Sequence, residues 1–159
     1  MRTAFRIEHR LGVPAPASVV WGLISDLERW PAWNPLAEEV QGALRIGERL
    51  VVRETIPGEG AAVIRPMIVD WEPSTQILWR FTEKAGLVGR LRYLEIEKLT
   101  DDACIFSIGE DWSGPLARLT PRTRRRTIRQ AFKTLADALR SHAMAAVGAG
   151  DAAPSPSAA

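Results

Sequence analysis

Apolar and polar residues alternate from Thr3 to Gly12, with Phe5, Ile7, His9 and Leu11 in one phase and Arg6, Glu8 and Arg10 in the other. A period of two predicts a strand with one buried face. Pro14 and Pro16 end it, and Pro16 suits the first turn of a helix, where its missing amide is not needed. Val20, Leu23, Ile24 and Leu27 then follow at helical spacing, which predicts a short amphipathic helix. The run Trp30-Pro31-Ala32-Trp33-Asn34-Pro35 predicts a helix that stops, restarts briefly and releases the chain. Residues 38–43 read as a short edge strand. Five longer runs come next, over 48–56, 62–71, 75–82, 90–100 and 103–112, separated by turn pairs such as Pro57-Gly58 and Asp101-Asp102. That order predicts an antiparallel meander. From about residue 120 to 144, Ile128, Ala131, Phe132, Leu135 and Leu139 form one stripe, predicting the longest helix. Beyond 147 only Gly, Ala, Pro, Ser and one Asp remain, so a domain over 1–146 and a disordered tail over 147–159 are expected.

A chain of 159 residues with 46% hydrophobic and 25% charged residues has the size and balance of one globular domain. No apolar run approaches the ~20 residues that span a bilayer. Arg2, Arg6, Glu8 and Arg10 stand where a signal peptide needs an apolar stretch, so a cytoplasmic protein is expected. The single cysteine, Cys104, cannot form an internal disulfide, and His9 and His142 make no metal-ligand spacing. Neither a metal nor a cofactor is expected.

The residues Ala15-Pro16-Ala17-Ser18-Val19-Val20-Trp21 leading to Asp26, then Trp30 to Pro35, and the late run Phe106-Ser107-Ile108-Gly109-Glu110-Asp111-Trp112-Ser113-Gly114 are fold markers. In this order the chain, over 3 to about 143, resembles the START/polyketide cyclase superfamily, also called SRPBCC or birch-pollen-allergen-like. The resemblance implies an α+β helix-grip fold: a curved antiparallel sheet of about seven strands around a long C-terminal helix, with two short helices after the first strand. It also implies a pocket between sheet and helix for lipids, polyketides or other apolar molecules. No catalytic signature accompanies it.

Such a sheet presents an inward residue at every second position. Phase places Phe5, Ile7, His9, Leu50, Val52, Ile77, Trp79, Phe81, Leu94, Ile96, Phe106, Ile108 and Glu110 on the inner wall. The candidate ligand-binding set is Trp33, Asn34, Trp79, Phe81, Leu94, Ile96, Phe106, Ile108, Glu110, Phe132 and Leu135. Taken singly, each aromatic in it is explained first as core. Trp33 and Asn34 are expected near the mouth, or as a turn stiffened by Pro31 and Pro35. Six tryptophans against one tyrosine suit walls that stack on a guest and donate one hydrogen bond. Glu110 and His9 are the candidate proton-transfer groups. A buried Glu110 requires an arginine, a ligand hydroxyl or a proton, and Arg92 is one available partner.

Arg118, Arg122, Arg124, Arg125, Arg126, Arg129 and Lys133 form the strongest charge cluster, although the net charge is only +2. A solvated helix face with some arginines paired to acids on the sheet accounts for it. Arg122 to Arg129 could also touch an anionic membrane surface. Nucleic acid is not expected, because the cluster lacks interleaved aromatics. Three functions follow: binding or transport of a small hydrophobic molecule, by a monomer or homodimer; a cyclase/dehydratase-type reaction using Glu110 or His9; or a protein-interaction module built on the arginine-rich helix.

Overall fold

The computed structural model describes residues 2–151. The alternating first segment forms β1 (Thr3–Val13), and the Pro16 start gives α1 (Ala17–Ser25). A 3-10 turn leads to α2 (Trp30–Trp33), and then come β2 (Ala37–Gln41), β3 (Val51–Ile56), β4 (Gly60–Ile64), β5 (Met67–Glu72), β6 (Gln76–Glu83), β7 (Val88–Thr100), β8 (Ala103–Ser113) and α3 (Arg122–Asp151). The chain is an α+β helix-grip domain, with eight antiparallel strands curved around one long helix.

Five strands pair in the order β1-β8-β7-β6-β5 and three in the order β2-β3-β4. The single strand expected over 62–71 is divided into β4 and β5 because Pro66 has no N–H for a ladder and constrains Arg65 before it. Both halves still run beside the same neighbour. Arg49 bridges Met67, Leu50 N–H donates to the Pro66 carbonyl at 2.8 Å, and Ile68 N–H donates to the Glu48 carbonyl at 2.9 Å. β5 then crosses to pair with β6 from Glu72↔Gln76 to Met67↔Arg80 and goes no further. Phe81 to Glu83 on β6 and the outer edge of β4 are therefore left facing each other without a shared ladder.

Register aligns the inner face into rows across β6, β7, β8 and β1. One row is Phe81, Arg90, Trp112 and Phe5; the next is Trp79, Arg92, Glu110 and Ile7; the next is Ile77, Leu94, Ile108 and His9. The first two carry the charge and most of the aromatic surface, and the third is mainly aliphatic. α3 covers them with Ile128, Phe132, Leu135 and Leu139, all buried. The helix continues to Asp151, so residues 147–151 are helical where a tail was expected, and 152–159 lie outside the described residues. No helix among the described residues is long and apolar enough to cross a membrane.

On the outer face, Tyr93 lies over Gly109, and its hydroxyl donates to the Glu8 carboxylate. Burial, and then that hydrogen bond, raise the Tyr93 pKa. A Cβ at position 109 would run into the Tyr93 ring and would lie 2.9 Å from the Ile7 carbonyl oxygen. Gly109→Ala is thus expected to destabilise the protein by about 1–3 kcal/mol, as overpacking does. Urea unfolding measures this, and Gly109→Ala combined with Tyr93→Ala should recover part of the loss.

Candidate functional site

Glu110 is fully buried. Its Oε1 accepts from Arg92 Nε at 2.7 Å, and its Oε2 accepts from Arg90 Nε at 2.8 Å and from the Trp112 indole N–H at 3.0 Å. Both arginines follow from strand phase: on β7, Arg90 and Arg92 share parity with the buried Leu94 and Ile96. Arg92 also reaches β3, where its Nη1 and Nη2 donate to the Glu54 carboxylate at 2.9 and 3.2 Å. Arg90 donates to Glu83, and Glu83 accepts two bonds of 3.1 Å from Arg124 of α3. Arg124 Nε finally donates to Glu59, in the β3–β4 turn, at 2.7 Å. Four carboxylates and three guanidiniums thus form one chain from the centre of the sheet to the surface.

Aromatic faces enclose the guanidiniums. Arg90 lies 4.3 Å from the Trp112 ring centre and 4.7 Å from that of Phe81. Arg92 lies 5.5 Å from Phe81 and 5.7 Å from Phe132. Cation–π attraction of this kind is strongest where water is excluded. Burial alone would push the Glu110 carboxyl up, but the charges of Arg90 and Arg92 and their hydrogen bonds outweigh it and hold its pKa below the ordinary value. Glu83 is lowered in the same sense, its burial opposed by Arg124 and Arg90. Glu110 is thus paired with both arginines, Arg92 being one of the partners open to it in the sequence. Arg90, Glu54, Glu83 and the Trp112 indole complete what sequence reasoning left out. Their parity with buried apolar neighbours was the available signal.

The rest of the candidate set divides in two. Trp79, Leu94, Phe106, Ile108, Phe132 and Leu135 are brought together in the core, with at most 2% of their surface accessible. Ile96 is buried at the same face, and Phe81 at its margin. Trp79 Nε1 is buried without a hydrogen-bond partner among the described residues. Trp33 and Asn34 have their polar atoms engaged locally. The Trp33 and Trp30 indoles donate to the Leu23 and Ile24 carbonyls at 3.2 and 3.0 Å, capping the open end of α1, and Asn34 Oδ1 accepts from Leu36 N–H at 2.9 Å. His9 is half-buried beside Ile108 and makes no side-chain hydrogen bond among the described residues.

One open cleft lies where the sheet parts. This cleft of about 480 Å³ between β4 and β6 is lined by Val63, Ile64, Phe81 and Glu83, with Arg49 and Arg65 at its rim. Its inner end is the Phe81 ring that packs on Arg90 and Arg92.

Glu110→Gln leaves two buried guanidiniums without their shared counter-charge, and a loss of about 3–5 kcal/mol is expected at pH 7. Both depressed carboxylates contribute fully above the unfolded pKa of about 4.3, and that contribution is lost as pH falls through their folded values. Thermal melts from pH 7 to 3 should therefore show a steep acid decline for the wild-type protein and a shallower one for Glu110→Gln. A wild-type Tm that stays flat down to pH 3 would contradict this.

Comparison with known proteins agrees with the topology. A START superfamily protein from Mycobacterium smegmatis is similar in structure with a TM-score of 0.73 at 18% identity, over 89% of this chain and 98% of that one. The Zhui aromatase/cyclase from Streptomyces sp. R1128 gives 0.64 at 18% identity over 94% and 96%. The ginseng major latex-like protein 151 from Panax ginseng gives 0.68 at 10% identity over 89% and 99%. Identities this low establish the shared fold alone. No curated protein matches the sequence significantly. The family model described as polyketide cyclase / dehydrase and lipid transport matches residues 4–143, nearly the whole described domain, and the chain belongs to that family.

Proposed function

We propose that the protein binds a small hydrophobic molecule with a polar end, admitted at the parting between β4 and β6. The observation that carries this reading is the cleft of about 480 Å³, inside the ~300–1,000 Å³ range of small-molecule sites. Phe81, Val63 and Ile64 offer an apolar surface for the body of the guest, and Arg49 and Arg65 offer charge to its polar end. A larger guest needs the β3–β4 hairpin to part from α3 and from Arg92 of β7. The contacts to be broken are then Glu59 with Arg124 and Glu54 with Arg92. Opening of that kind would bring Phe132, Trp79 and the unpartnered Trp79 indole N–H within reach of the guest.

A cyclase/dehydratase-type reaction has less support from these residues. Glu110 is held ionised by two arginines and has no proton to give, which leaves general-acid work without its candidate. His9 stands one pleat along β1 from Ile7, which faces Glu110, and no ionisable group hydrogen-bonds to it among the described residues.

Titration with the apolar fluorophore 1-anilinonaphthalene-8-sulfonate tests the binding reading. Saturable one-to-one binding is expected, and Val63→Asp should weaken it by about tenfold, or ~1.4 kcal/mol, with little change in Tm because Val63 is 45% exposed. Absence of saturation, or equal affinity in the variant, would sink the cleft as the site.

A further inference from the structure

Arg122, Arg125, Arg126 and Arg129 line a separate concavity of about 220 Å³ on α3. Steps of three and four residues set them on one stripe of the helix, a spacing at which like charges repel. Among the described residues none of the four has a carboxylate within ion-pair distance; the ion pairs of α3 are those of Arg124 and Lys133. One of the four charges is also fixed in place. The Arg125 guanidinium lies 3.7 Å from the Phe5 ring centre, its Nε donates to the Thr120 carbonyl at 3.1 Å and its Nη2 to the Arg118 carbonyl at 3.3 Å. The neutral carbonyls hold that guanidinium without cancelling its charge. The first turn of α3 contains no acidic residue, so the unpaired N–H groups of the helix start add to the same sign of potential.

Four guanidiniums around one small concavity, one immobilised and none neutralised, are complementary to a compact group with several charged oxygens. Forked N–H donors match phosphate in geometry as well as in charge. We infer that this concavity binds a phosphate-type oxyanion, borne by a soluble phosphate compound or by a lipid headgroup. The site shares no residue with the β4–β6 cleft, so its success or failure is independent of the reading above.

Calorimetric titration of the whole protein with inorganic pyrophosphate at low salt tests the shared chemistry. Cosedimentation with phosphatidylcholine vesicles, with and without phosphatidylglycerol, separates the sources. The double variant Arg126→Glu/Arg129→Glu is the control, since both side chains are exposed and unpaired and the fold should be retained, as checked by Tm. Saturable pyrophosphate binding that weakens with added salt, and by about tenfold or more in the double variant, supports the site with a soluble source. Retention on phosphatidylglycerol vesicles that the double variant loses supports it with a headgroup source. Failure of both assays, or binding that the double variant leaves unchanged, overturns it.

Discussion

A carboxylate shut away from water, Glu110, has to be met by opposite charge, and the shape of the interior follows from the way this is done. Arg90 and Arg92 rise from the adjacent strand into the space under α3 and fill it with long side chains whose flat faces rest on Phe81, Trp112 and Phe132. Each guanidinium has more donors than Glu110 can accept, so a second carboxylate follows on either side, Glu54 from β3 and Glu83 from β6. Arg124 and Glu59 carry the chain to the surface. One ionic network thereby ties the central sheet, the β3–β4 hairpin and the start of the long helix together.

The grip of sheet on helix is therefore of two kinds. At the Glu110 end it is directional, made of charge-assisted bonds that tolerate little displacement. In the rows of Leu94, Ile108 and Phe106 it is ordinary apolar burial, which is non-directional and permits small slips. A guest that presses on the first end must offer replacement charges or hydrogen bonds. One that presses on the second needs only shape. Kinship with the polyketide cyclase / dehydrase and lipid transport family fixes the scaffold on which this division is built, and the residues themselves supply the rest.

Much of this was legible in the sequence because the period-2 and period-3.6 patterns survive folding. The strands, the two short helices and the stripe on α3 all fall near where spacing puts them. Pro66 divided one expected strand through its missing amide, a local effect that the apolar run conceals. Glu110 was readable as inward-facing from its phase with Phe106 and Ile108. Its partners were not fully readable, because the reach of Arg92 to Glu54 on β3 and of Arg124 to Glu59 and Glu83 depends on how far the sheet curls. Trp33 and Asn34 carried a double reading, and their engagement by the Leu23 carbonyl and the Leu36 amide is a matter of chain geometry rather than of residue type.

The parting of the sheet has a consequence of its own for β4. Gly60, Ala61, Ala62 and Val63 are exposed, no charged residue interrupts them, and every second residue turns its backbone donor and acceptor away from β3 into solvent. Natural edges are usually guarded by a lysine, a bulge or a proline within the strand. Here the guards stand at the two ends, as Glu59 in the turn before it and Arg65-Pro66 after it. Resistance to unwanted strand-to-strand pairing between molecules thus rests on how short this margin is, and lengthening it by even a few uncharged residues would remove that protection.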